Sequence, residues 1–484
     1  MKISRPLEEL LPECGDCSVL NGSLETEIWG ISEDSRTIEP GYLFVARRGR
    51  CADGLRYIED AVEAGAAAIL CDREPERIPE TTLVVARSLS ECLPDVCRRF
   101  YADPSRRLML FGVTGTNGKT TTAFLLQRIL ERAGRKTAVI GTTGFHCGGE
   151  VRLLGNTTPG LPLVNALLAE ALEQGCEAVV MEVSSHALDQ GRVAGLRFRA
   201  GVFTNLTQDH LDYHETMEQY FKCKARLFDD PETGGAVNAD DPWGRRLLQR
   251  RPDLLSFGEN GVVRAADVVL RRDGTDLTLC FGQERHSLRT GLVGRVNVQN
   301  CLAAAAAARA WGMEPAEIGE GLSGATAPPG RFEIVSRAGD FTVAVDYAHT
   351  PDALERLLRT ARELEPARVL LVFGCGGDRD RAKRPLMGAA ASRLADEIWV
   401  TSDNPRTENP EKIIEEITAG MGAAYHVEVE RRAAIEKAVR ALQPGDLLLI
   451  AGKGHETTQE INGVKRPFDD RIVAREALRR EKKL

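Results

Sequence analysis

Residues 114–120 have the types and the spacing of a loop that could hold phosphate. The segment reads Thr-Gly-Thr-Asn-Gly-Lys-Thr, follows the apolar stretch 108–113 and precedes a helical stretch at 121–133. A strand, a glycine-rich turn and the beginning of a helix direct unpaired backbone N–H groups at one point, which suits an anion. Lys119 can reach terminal phosphates, and the Thr120 hydroxyl can bind Mg²⁺. The segment therefore predicts an ATP or GTP site.

The match to the phosphate-loop pattern G-x-x-x-x-G-K-[ST] is imperfect. Val113 stands where the first glycine belongs, Gly112 comes one position early and Gly115 two positions late. The alternative is an ordinary turn between a strand and a helix that happens to carry a lysine. The strand and the helix that flank this turn favour the phosphate site.

Acidic and histidine side chains cluster after two further apolar stretches. Glu182 lies near the end of the apolar segment 178–183, where a parallel sheet presents ligand-binding groups. A carboxylate there could hold Mg²⁺ beside the phosphate loop, and an acid that caps a helix or is simply hydrogen-bonded is the alternative. The segment 204–214 concentrates four potential ligands, namely Asp209, His210, Asp212 and His214. Zinc would need tetrahedral nitrogen and sulfur ligands at a fixed spacing that this segment lacks, so a hard cation shared with phosphate is favoured.

Basic side chains lie in two places that could serve an acidic substrate. The predicted helix 215–228 carries Lys222, Lys224 and Arg226, a pattern typical of a solvated basic face. Arg384 and Arg406 lie near the ends of apolar stretches, and Arg406 closes the sequence Asp403-Asn404-Pro405-Arg406. Arginine binds carboxylates through two parallel hydrogen bonds, so this pair indicates a carboxylate-bearing substrate, with surface ion pairing as the alternative.

The segment Gly452-Lys453-Gly454-His455-Glu456 follows the last predicted strand. Its glycines allow a ligand to approach the backbone closely, and Glu456 can accept an ammonium group. The segment therefore predicts a polar contact for an amino compound.

The alternation of apolar and amphipathic stretches predicts an α/β fold class with three domains. Residues 1–103 form a small α/β domain, 104–330 a central phosphate-loop domain with a mostly parallel sheet, and 331–484 a second doubly wound, Rossmann-like domain. Asp103-Pro104-Ser105 and Pro328-Pro329-Gly330 mark the boundaries. The predicted strands are 41–46, 66–70, 83–86, 108–113, 137–141, 178–183, 201–205, 341–347, 368–373, 397–401 and 447–451. The predicted helices are 58–64, 89–100, 121–133, 161–174, 215–228, 351–364, 383–394, 411–421 and 431–442.

Composition narrows the function classes. A net charge of −8 without a basic run argues against nucleic acid as a partner. The twelve cysteines are scattered, and Cys14 with Cys17 forms one C-x-x-C without a second pair, so we expect free thiols in a reducing cytoplasm rather than zinc or disulfides. No segment approaches the roughly 20 apolar residues of a membrane span, and the N-terminus has no signal-peptide core.

With these residues in hand, the sequence resembles the Mur ligases, and among them those that add the third residue of the peptidoglycan stem peptide. The resemblance covers essentially the whole chain and all three predicted domains. It rests on eleven motifs in order: TGTNGKTTT (114–122), GNTTPG (155–160), MEVSSHAL (181–188), NLTQDHLDYH (205–214), YFKCKARLF (220–228), GRVNVQN (294–300), PGRFE (329–333), DYAHTPDAL (346–354), GDRDRAKRPLMG (377–388), DNPR (403–406) and GKGHE (452–456).

The resemblance implies a uridine nucleotide in the first domain, ATP in the second and the incoming amino acid largely on the third. Positions that match contacts to UDP-N-acetylmuramoyl-L-alanyl-D-glutamate are Ser35, Asn156, Thr157, Thr158, Ser184, Gln190 and Arg192. Positions that match ATP contacts are Thr114, Gly115, Thr116, Asn117, Gly118, Lys119, Thr120, Thr121, Asn300, Arg331 and Asp346. Positions that match catalytic groups are Lys119, Glu182, His210 and Lys224, and the implied Mg²⁺ ligands are Thr120, Glu182, His210 and Lys224.

Lys224 matches a lysine that is carbamylated in the family. The modification makes physical sense, because an ammonium group repels Mg²⁺ whereas a carbamate offers anionic oxygens.

The DNPR motif accompanies meso-2,6-diaminopimelate as the substrate in the family, and lysine-adding relatives lack its arginine. Diaminopimelate carries a second carboxylate, which Arg406 and Arg384 could neutralise. The implied contacts to this amino acid are Arg384, Asp403, Asn404, Pro405, Arg406, Gly452 and Glu456. In the implied reaction, the γ-phosphoryl group of ATP passes to the free D-glutamyl carboxylate, and the amine of diaminopimelate attacks the acyl phosphate to give amide, ADP and phosphate.

One stretch departs from the family pattern. Residues 46–58 carry Arg47, Arg48 and a cysteine, so the matched uridine contacts there are open. The alternatives are a lysine-adding Mur ligase, a folylpolyglutamate synthase and a catalytically silent nucleotide-binding regulator. DNPR and the Asp34-Ser35-Arg36 segment argue against the first two, and the four catalytic matches argue against the third. We expect a monomer that inserts into no membrane.

Overall fold

The computed structural model describes residues 3–11, 17–49, 52–336, 340–422 and 424–483, apart from the side chain of Asp212. The chain divides into two compact units, one containing residues 1–263 and 303–321, the other 264–302 and 322–484. The Cys14–Cys17 pair lies partly outside the described residues, because Cys14 is not among them. In the described ranges, no helix has both the length and the apolar character that crossing a bilayer requires.

The first unit begins with a small sheet, as predicted for residues 1–103. Its five strands run in the order Cys17–Asn21, Thr82–Ala86, Ala68–Cys71, Tyr42–Ala46 and Gly30–Ser32. All pairs are parallel except the first, which is antiparallel. Two separate groups of buried side chains contain alternate residues of these strands, and the helices associated with this sheet are Leu7–Leu10, Ile58–Glu63 and Leu89–Phe100.

A larger sheet in the same unit confirms the predicted mostly parallel core. Its strands there run in the order Glu150–Arg152, Gly144–Cys147, Thr137–Gly141, Ala178–Glu182, Met109–Thr114, Ala200–Phe203, Gly234–Asn238 and Leu255–Phe257. The last six are parallel. Further helices of this unit are Pro104–Arg107, Lys119–Arg132, Leu161–Glu173, Ser185–Asp189, Leu211–His214, Met217–Ala225, Pro242–Arg250, Pro315–Leu322 and, from residue 303 on, Arg295–Ala310.

The register of this sheet places the candidate residues at one edge. Glu182 pairs with Val113, and Phe203 pairs with Thr114. Three adjacent parallel strands therefore end at the same level, and the loops that follow them meet there.

The second unit contains a six-stranded sheet in the order Glu333–Ser336, Thr342–Asp346, Leu447–Ala451, Val369–Phe373, Glu397–Val400 and His426–Val427. Its first pair is antiparallel and the others are parallel. Helices Pro351–Arg362, Lys383–Leu394, Pro410–Thr418, Arg431–Ala441 and Asp470–Arg480 alternate with or follow these strands. Apolar clusters on both faces of the sheet confirm the doubly wound prediction.

Three features differ from the sequence predictions. The helix predicted over 215–228 begins at Met217, because Glu215 adopts a left-handed φ of 60° and Thr216 caps the helix. The predicted linker forms a short helix, Pro104–Arg107, in which Pro104 and Ser105 are buried and the two arginines are exposed. Antiparallel hairpins that were not predicted include Gly144–Cys147 with Glu150–Arg152, Gly274–Phe281 with Glu284–Thr290, and Thr458–Ile461 with Val464–Pro467. The segment 452–456 therefore precedes two more strands instead of following the last one.

Candidate functional site

The predicted phosphate loop follows the strand Met109–Thr114 and leads into the helix Lys119–Arg132. Gly115 and Gly118 adopt positive φ angles of 142° and 84°, which glycine tolerates best. A Cβ atom on Gly115 would collide with the hydroxyl of Thr204. That hydroxyl donates to the carbonyl of Asn117 at 2.6 Å, so the end of the neighbouring strand holds the loop in place.

Two lysine side chains approach this loop from different elements. Lys119 Nζ donates to the carbonyl oxygen of Gly115 at 3.0 Å, and Lys224 Nζ donates to the same oxygen at 2.8 Å. Lys224 is only 1% exposed, and its Nζ lies 4.8 Å from the centre of the Tyr220 ring. Burial, with the charge of Lys119 as a second cause, holds the pKa of Lys224 well below its ordinary value. Lys224 is thus a core residue, which its sequence context as a solvated basic face did not indicate.

Glu182 receives three hydrogen bonds at the end of its strand. Thr120 donates its hydroxyl to Oε2 at 3.0 Å. Thr142 donates its backbone N–H to Oε1 at 2.9 Å and its hydroxyl to Oε2 at 3.2 Å. Thr120 and Glu182 therefore meet beside the loop, and these hydrogen bonds are also what the alternative of a hydrogen-bonded acid predicts. A hydroxyl and a carboxylate in contact form a donor set that suits Mg²⁺.

The histidine and aspartate segment lies beside these groups. His210 adopts a left-handed φ of 52°, and its ring centre lies 4.8 Å from that of His186 and 6.3 Å from that of Tyr220. Its Nε2 lies 3.5 Å from Asp209 Oδ2. Within the described residues, no three His, Cys, Asp or Glu side chains converge as a metal-binding group, and the Asp212 side chain lies outside the description. The segment therefore gives no self-contained metal cluster there.

The positions matched to the muramoyl-dipeptide form a hydrogen-bonded group around Thr158. Its hydroxyl donates to the carbonyl of Glu182 at 2.8 Å and accepts from the backbone N–H of Ser184 at 3.0 Å. Arg192 donates to the Thr158 carbonyl at 2.8 Å and to Gln190 Oε1 at 3.0 Å. Two further matched positions directly precede Thr158. The hydroxyl of Thr157 lies 3.1 Å from that of Thr142, and Asn156 is exposed.

A carboxylate that sequence analysis passed over links this group to the first sheet. Glu33 lies 3.6 Å from Arg47, and Arg47 donates to the carbonyl of Gln190 at 2.5 Å. Burial raises the pKa of Glu33, although the charges of Arg47 and Arg192 oppose the shift. Ser35 begins the short helix that follows, which Asp34 caps. The departure noted at Arg47 is therefore a contact between the end of a strand of the first sheet and the C-terminus of the helix Ser185–Asp189. Residues 50 and 51 of that stretch lie outside the description.

In the second unit, the Asp403–Arg406 turn meets the segment 452–456. Asn404 donates its amide to Glu456 Oε2 at 2.8 Å. The ammonium group of Lys453, which is 0% exposed, donates to Asn404 Oδ1 and to Glu456 Oε2, each at 3.0 Å. A Cβ atom on Gly452, whose φ is 115°, would collide with the Asp403 carboxylate. The predicted amino-acid contacts therefore lie together.

The unpredicted hairpin Thr458–Ile461 with Val464–Pro467 holds this turn. The backbone N–H of Arg406 donates to the carbonyl of Glu460 at 3.1 Å, and the N–H of Glu460 donates to Asn404 Oδ1 at 3.0 Å. Arg406 adopts a left-handed φ of 51°, and its guanidinium donates to the carbonyl of Gly377 at 2.6 Å.

Arg384 has other partners than those predicted from sequence. It is fully buried, and its guanidinium donates to both oxygens of Glu408, at 2.9 and 3.0 Å, and to Glu416 at 2.7 Å. The hydrogen bond from Arg384 holds the pKa of Glu408 at about 2. Arg384 is thus engaged in a buried ion-pair network. Arg379 in the same loop is exposed, and no acidic partner pairs with it among the described residues.

The three positions matched to ATP beyond the loop also lie in the second unit. Asp346 accepts backbone hydrogen bonds from Phe332 at 2.7 Å and from Ala348 at 2.8 Å. Burial raises its pKa, against the charge of Arg331. The guanidinium of Arg331 lies 5.0 Å from the centre of the Tyr347 ring. Asn300 donates its amide to Asn297 Oδ1 at 3.0 Å.

Comparison with protein-family models gives three matches along the chain. Residues 27–111 match the Mur ligase family catalytic domain, residues 113–308 the Mur ligase middle domain, and residues 330–454 the Mur ligase glutamate ligase domain. Together these matches span most of the sequence in the order that the eleven motifs predict.

Similar full-length proteins include two named UDP-N-acetylmuramoyl-L-alanyl-D-glutamate--2,6-diaminopimelate ligase. The one from Aquifex aeolicus is 44% identical over 93% of each chain. The one from Synechococcus elongatus is 44% identical over 98% of this chain and 97% of its own.

Similar solved structures include one with that same name, which covers 100% of both chains at 32% identity and a TM-score of 0.70. A MurF ligase from Thermotoga maritima in complex with ADP covers 94% of this chain and 97% of its own, with a TM-score of 0.64. At 17% identity, the second likeness concerns the fold alone.

Proposed function

Because the chain belongs to the Mur ligase family, we propose that it joins meso-diaminopimelate to UDP-N-acetylmuramoyl-L-alanyl-D-glutamate at the expense of ATP. The products are the UDP-muramoyl-tripeptide, ADP and phosphate. The observation that carries the choice of amino acid is the intact Asp403–Arg406 turn, where the arginine and the Glu456 carboxylate belong to one hydrogen-bonded group. An amino acid that carries an ammonium group and a second carboxylate needs an acidic partner for the first and a basic partner for the second, and Glu456 and Arg406 provide these two charges.

ATP binds at residues 114–121 in this proposal, with its phosphates on the backbone N–H groups of the loop. The Nζ atom of Lys119 donates hydrogen bonds to two carbonyl oxygens of its own loop, those of Gly115 and Thr116. When nucleotide is bound, it would donate to the transferring phosphoryl group instead. The positions that match further nucleotide contacts in the family, Asn300, Arg331 and Asp346, lie in the second unit. Charge neutralisation and alignment by the loop residues supply most of the catalysis of phosphoryl transfer.

The contact between Thr120 and Glu182 fits Mg²⁺, which would neutralise charge on the transferring phosphoryl group when bound. His210 and a carbamate on Lys224 would complete its protein ligands. The environment of Lys224 supports the modification, because burial lowers the pKa of the amine and so favours the neutral form, which attacks CO₂ and releases a proton to give the carbamate. A carbamate there would place an anion beside Lys119 instead of a second cation.

In this proposal, the muramoyl-dipeptide binds to the hydrogen-bonded group around Thr158, and Ser35 contacts the uridine part of the substrate. Arg192, which Gln190 holds in place, offers a positive charge near the end of the strand that carries Glu182. The D-glutamyl carboxylate would thereby face the transferring phosphoryl group. Asn156, Thr157 and Ser184 provide the remaining polar contacts.

The sequence resemblance implied that Arg384 binds diaminopimelate, but Arg384 is buried whereas Arg379 is exposed. Arg384 would have to abandon Glu408 and Glu416 to bind the substrate, and breaking a buried ion pair is costly. We therefore assign Arg384 to holding the loop and Arg379, which is exposed, to the second carboxylate together with Arg406. The domain limits 1–103, 104–330 and 331–484 and the monomeric state remain part of this proposal.

The test is phosphate release from ATP with Mg²⁺ and UDP-muramoyl-dipeptide, supplied in parallel with meso-diaminopimelate or L-lysine. Turnover with diaminopimelate alone is expected. Turnover with lysine would keep the ligase activity and overturn the assignment of Arg406. Silence with both amino acids would overturn the ligase proposal and favour a nucleotide-binding regulator.

A further inference from the structure

We propose that Lys453 is a positioning residue of the amino-acid site, which fixes the side chains of Asn404 and Glu456 in the orientation that diaminopimelate requires. This inference rests on the proposed function and adds a residue for which that proposal has no role. Lys453 touches no substrate in it, and it acts only through its two neighbours.

The first observation is that Lys453 is completely buried and completely paired. Its ammonium group donates to Asn404 Oδ1 at 3.0 Å, to Glu456 Oε2 at 3.0 Å and to the carbonyl oxygen of Thr458 at 2.7 Å. An ammonium group has three donors, so all of its hydrogen-bonding capacity is used. Such a group is rigid, because moving any partner would leave a buried charge short of a hydrogen bond.

The second observation is that this pairing decides which way the Asn404 amide faces. Oδ1 accepts from Lys453 and from the backbone N–H of Glu460, so the carbonyl end must face these two donors. The NH₂ end therefore faces Glu456, and it donates to Oε2 at 2.8 Å. A flipped amide would set its NH₂ group against two other donors.

The third observation concerns the two oxygens of Glu456. Oε2 accepts from both Lys453 and Asn404, whereas Oε1 accepts no hydrogen bond from the described part of the chain. One oxygen thus anchors the carboxylate, and the other stays available to an ammonium group of the substrate. Geometry held by neighbouring hydrogen bonds in this way reduces the ordering that binding would otherwise require.

A buried lysine could also serve stability alone, and the two roles predict different kinetics. If Lys453 orients Glu456 and Asn404, its loss affects the KM for diaminopimelate. If it only stabilises the fold, its loss lowers the folded fraction and thus the apparent kcat, without changing the KM for any one substrate.

The experiment compares Lys453→Met with the control Lys465→Met, which removes an exposed lysine from the adjacent hairpin. We expect Lys453→Met to raise the KM for diaminopimelate by about 10-fold or more, since at least one charge-assisted contact loses its geometry. The KM values for ATP and UDP-muramoyl-dipeptide should stay within about twofold, and the control should match the parent protein. Equal changes in all three KM values, or none, would overturn the inference.

A second variant covers the case in which Lys453→Met does not fold. Lys453→Gln keeps a donor of shorter reach, so it should fold and show the same selective change in KM.

Combining it with Glu456→Gln tests whether Lys453 acts through Glu456, because the effects of two changes that act through one group should not multiply. A double variant whose KM for diaminopimelate equals the product of the two single effects would refute positioning through Glu456. Failure of the proposed function is recognised separately, because the parent protein itself would then not turn over diaminopimelate. The inference about Lys453 fails only if the parent protein is active and the variants lack the selective change in KM.

Discussion

Lys119 and Lys224 donate to the same oxygen, the carbonyl of Gly115, at 3.0 and 2.8 Å. Their ammonium groups therefore lie close together on one phosphate loop, and two charges of the same sign there repel each other. Lys224 is the buried member, and burial with this repulsion lowers its pKa. Of the two lysines on this carbonyl oxygen, Lys119 belongs to the phosphate loop, and Lys224 is the one whose buried position favours loss of its proton.

Replacing Lys224 by Met should abolish turnover without lowering stability. We expect kcat to fall by about 100-fold or more, because methionine cannot form the carbamate that Lys224 provides as a preorganised anion in the proposed reaction. In the CO₂-depleted parent protein, the lowered pKa means that the folded state binds fewer protons than the unfolded state. Stability therefore rises with pH until the ordinary pKa of lysine is passed, and Met removes the penalty that is present at neutral pH.

Thermal unfolding between pH 7 and pH 10 measures this effect. The melting temperature of the parent protein should rise relative to that of Lys224→Met as the pH increases. The control is Lys222→Met, since Lys222 is exposed on the same helix, and it should follow the parent protein in both activity and stability. A pH-independent difference between parent and Lys224→Met would contradict the prediction.

Glu182→Gln should weaken the response to Mg²⁺ while leaving the shape of the site. The amide keeps one oxygen for the hydrogen bonds from Thr120 and Thr142 but loses the anionic charge. We expect the Mg²⁺ concentration for half-maximal activity to rise roughly 10- to 100-fold. Glu177→Gln, at the exposed opposite end of the same strand, is the control. An unchanged Mg²⁺ requirement would remove Glu182 from the metal site.

The arginines of the second unit should separate into binding and structural groups. Arg406→Ala and Arg379→Ala should each raise the KM for diaminopimelate, by roughly 30-fold if a charged hydrogen bond of about 2 kcal/mol is lost. ATP and UDP-muramoyl-dipeptide should bind as before. Equal losses of affinity for all three substrates would contradict this assignment.

Arg384→Ala should act on stability instead. Removing one partner of a buried ion pair costs about 3–5 kcal/mol, because Glu408 and Glu416 are left without their partner. Chemical denaturation measures the loss, and Arg379→Ala is the matched control with unchanged stability. A stable Arg384→Ala variant with a raised KM for diaminopimelate alone would restore the sequence-based assignment.

The contrast between these arginines marks what sequence could predict. The helices Leu89–Phe100 and Lys383–Leu394 have the bounds that their apolar spacing predicts, because spacing is a local property. The partners of Arg384 lie 24 and 32 residues further along the chain, so its burial depends on how a distant helix packs. The link between Glu33 and Arg47 escaped prediction for the same reason. The hairpin after residue 456 escaped because its short, polar strands have no apolar alternation.

Within the candidate site, the meeting of Thr120 and Glu182 could be predicted, since both follow adjacent parallel strands. The hydrogen bond confirms that they meet. The burial and the lowered pKa of Lys224 could not be predicted from its basic neighbours Lys222 and Arg226, because residues exposed on one face of a helix say nothing about the opposite face. Burial is a tertiary property, and here it determines the chemistry of the amine.

The pairing of Arg384 with Glu408 also predicts how stability depends on pH. The hydrogen bond from Arg384 lowers the pKa of Glu408 to about 2, from an ordinary value of 4.5. A carboxyl group whose folded pKa is lowered stabilises the protein fully above its unfolded pKa, and this contribution is lost as the pH falls through the interval between the two values.

Glu408→Gln should therefore lower the melting temperature at pH 7. Its difference from the parent protein should shrink between pH 4.5 and pH 2. Glu415→Gln, an exposed change on the helix Pro410–Thr418 that follows Glu408, should show no difference at any pH. A Glu408→Gln deficit that stays constant down to the acid limit would mean that packing, and not the charge of Glu408, stabilises this loop.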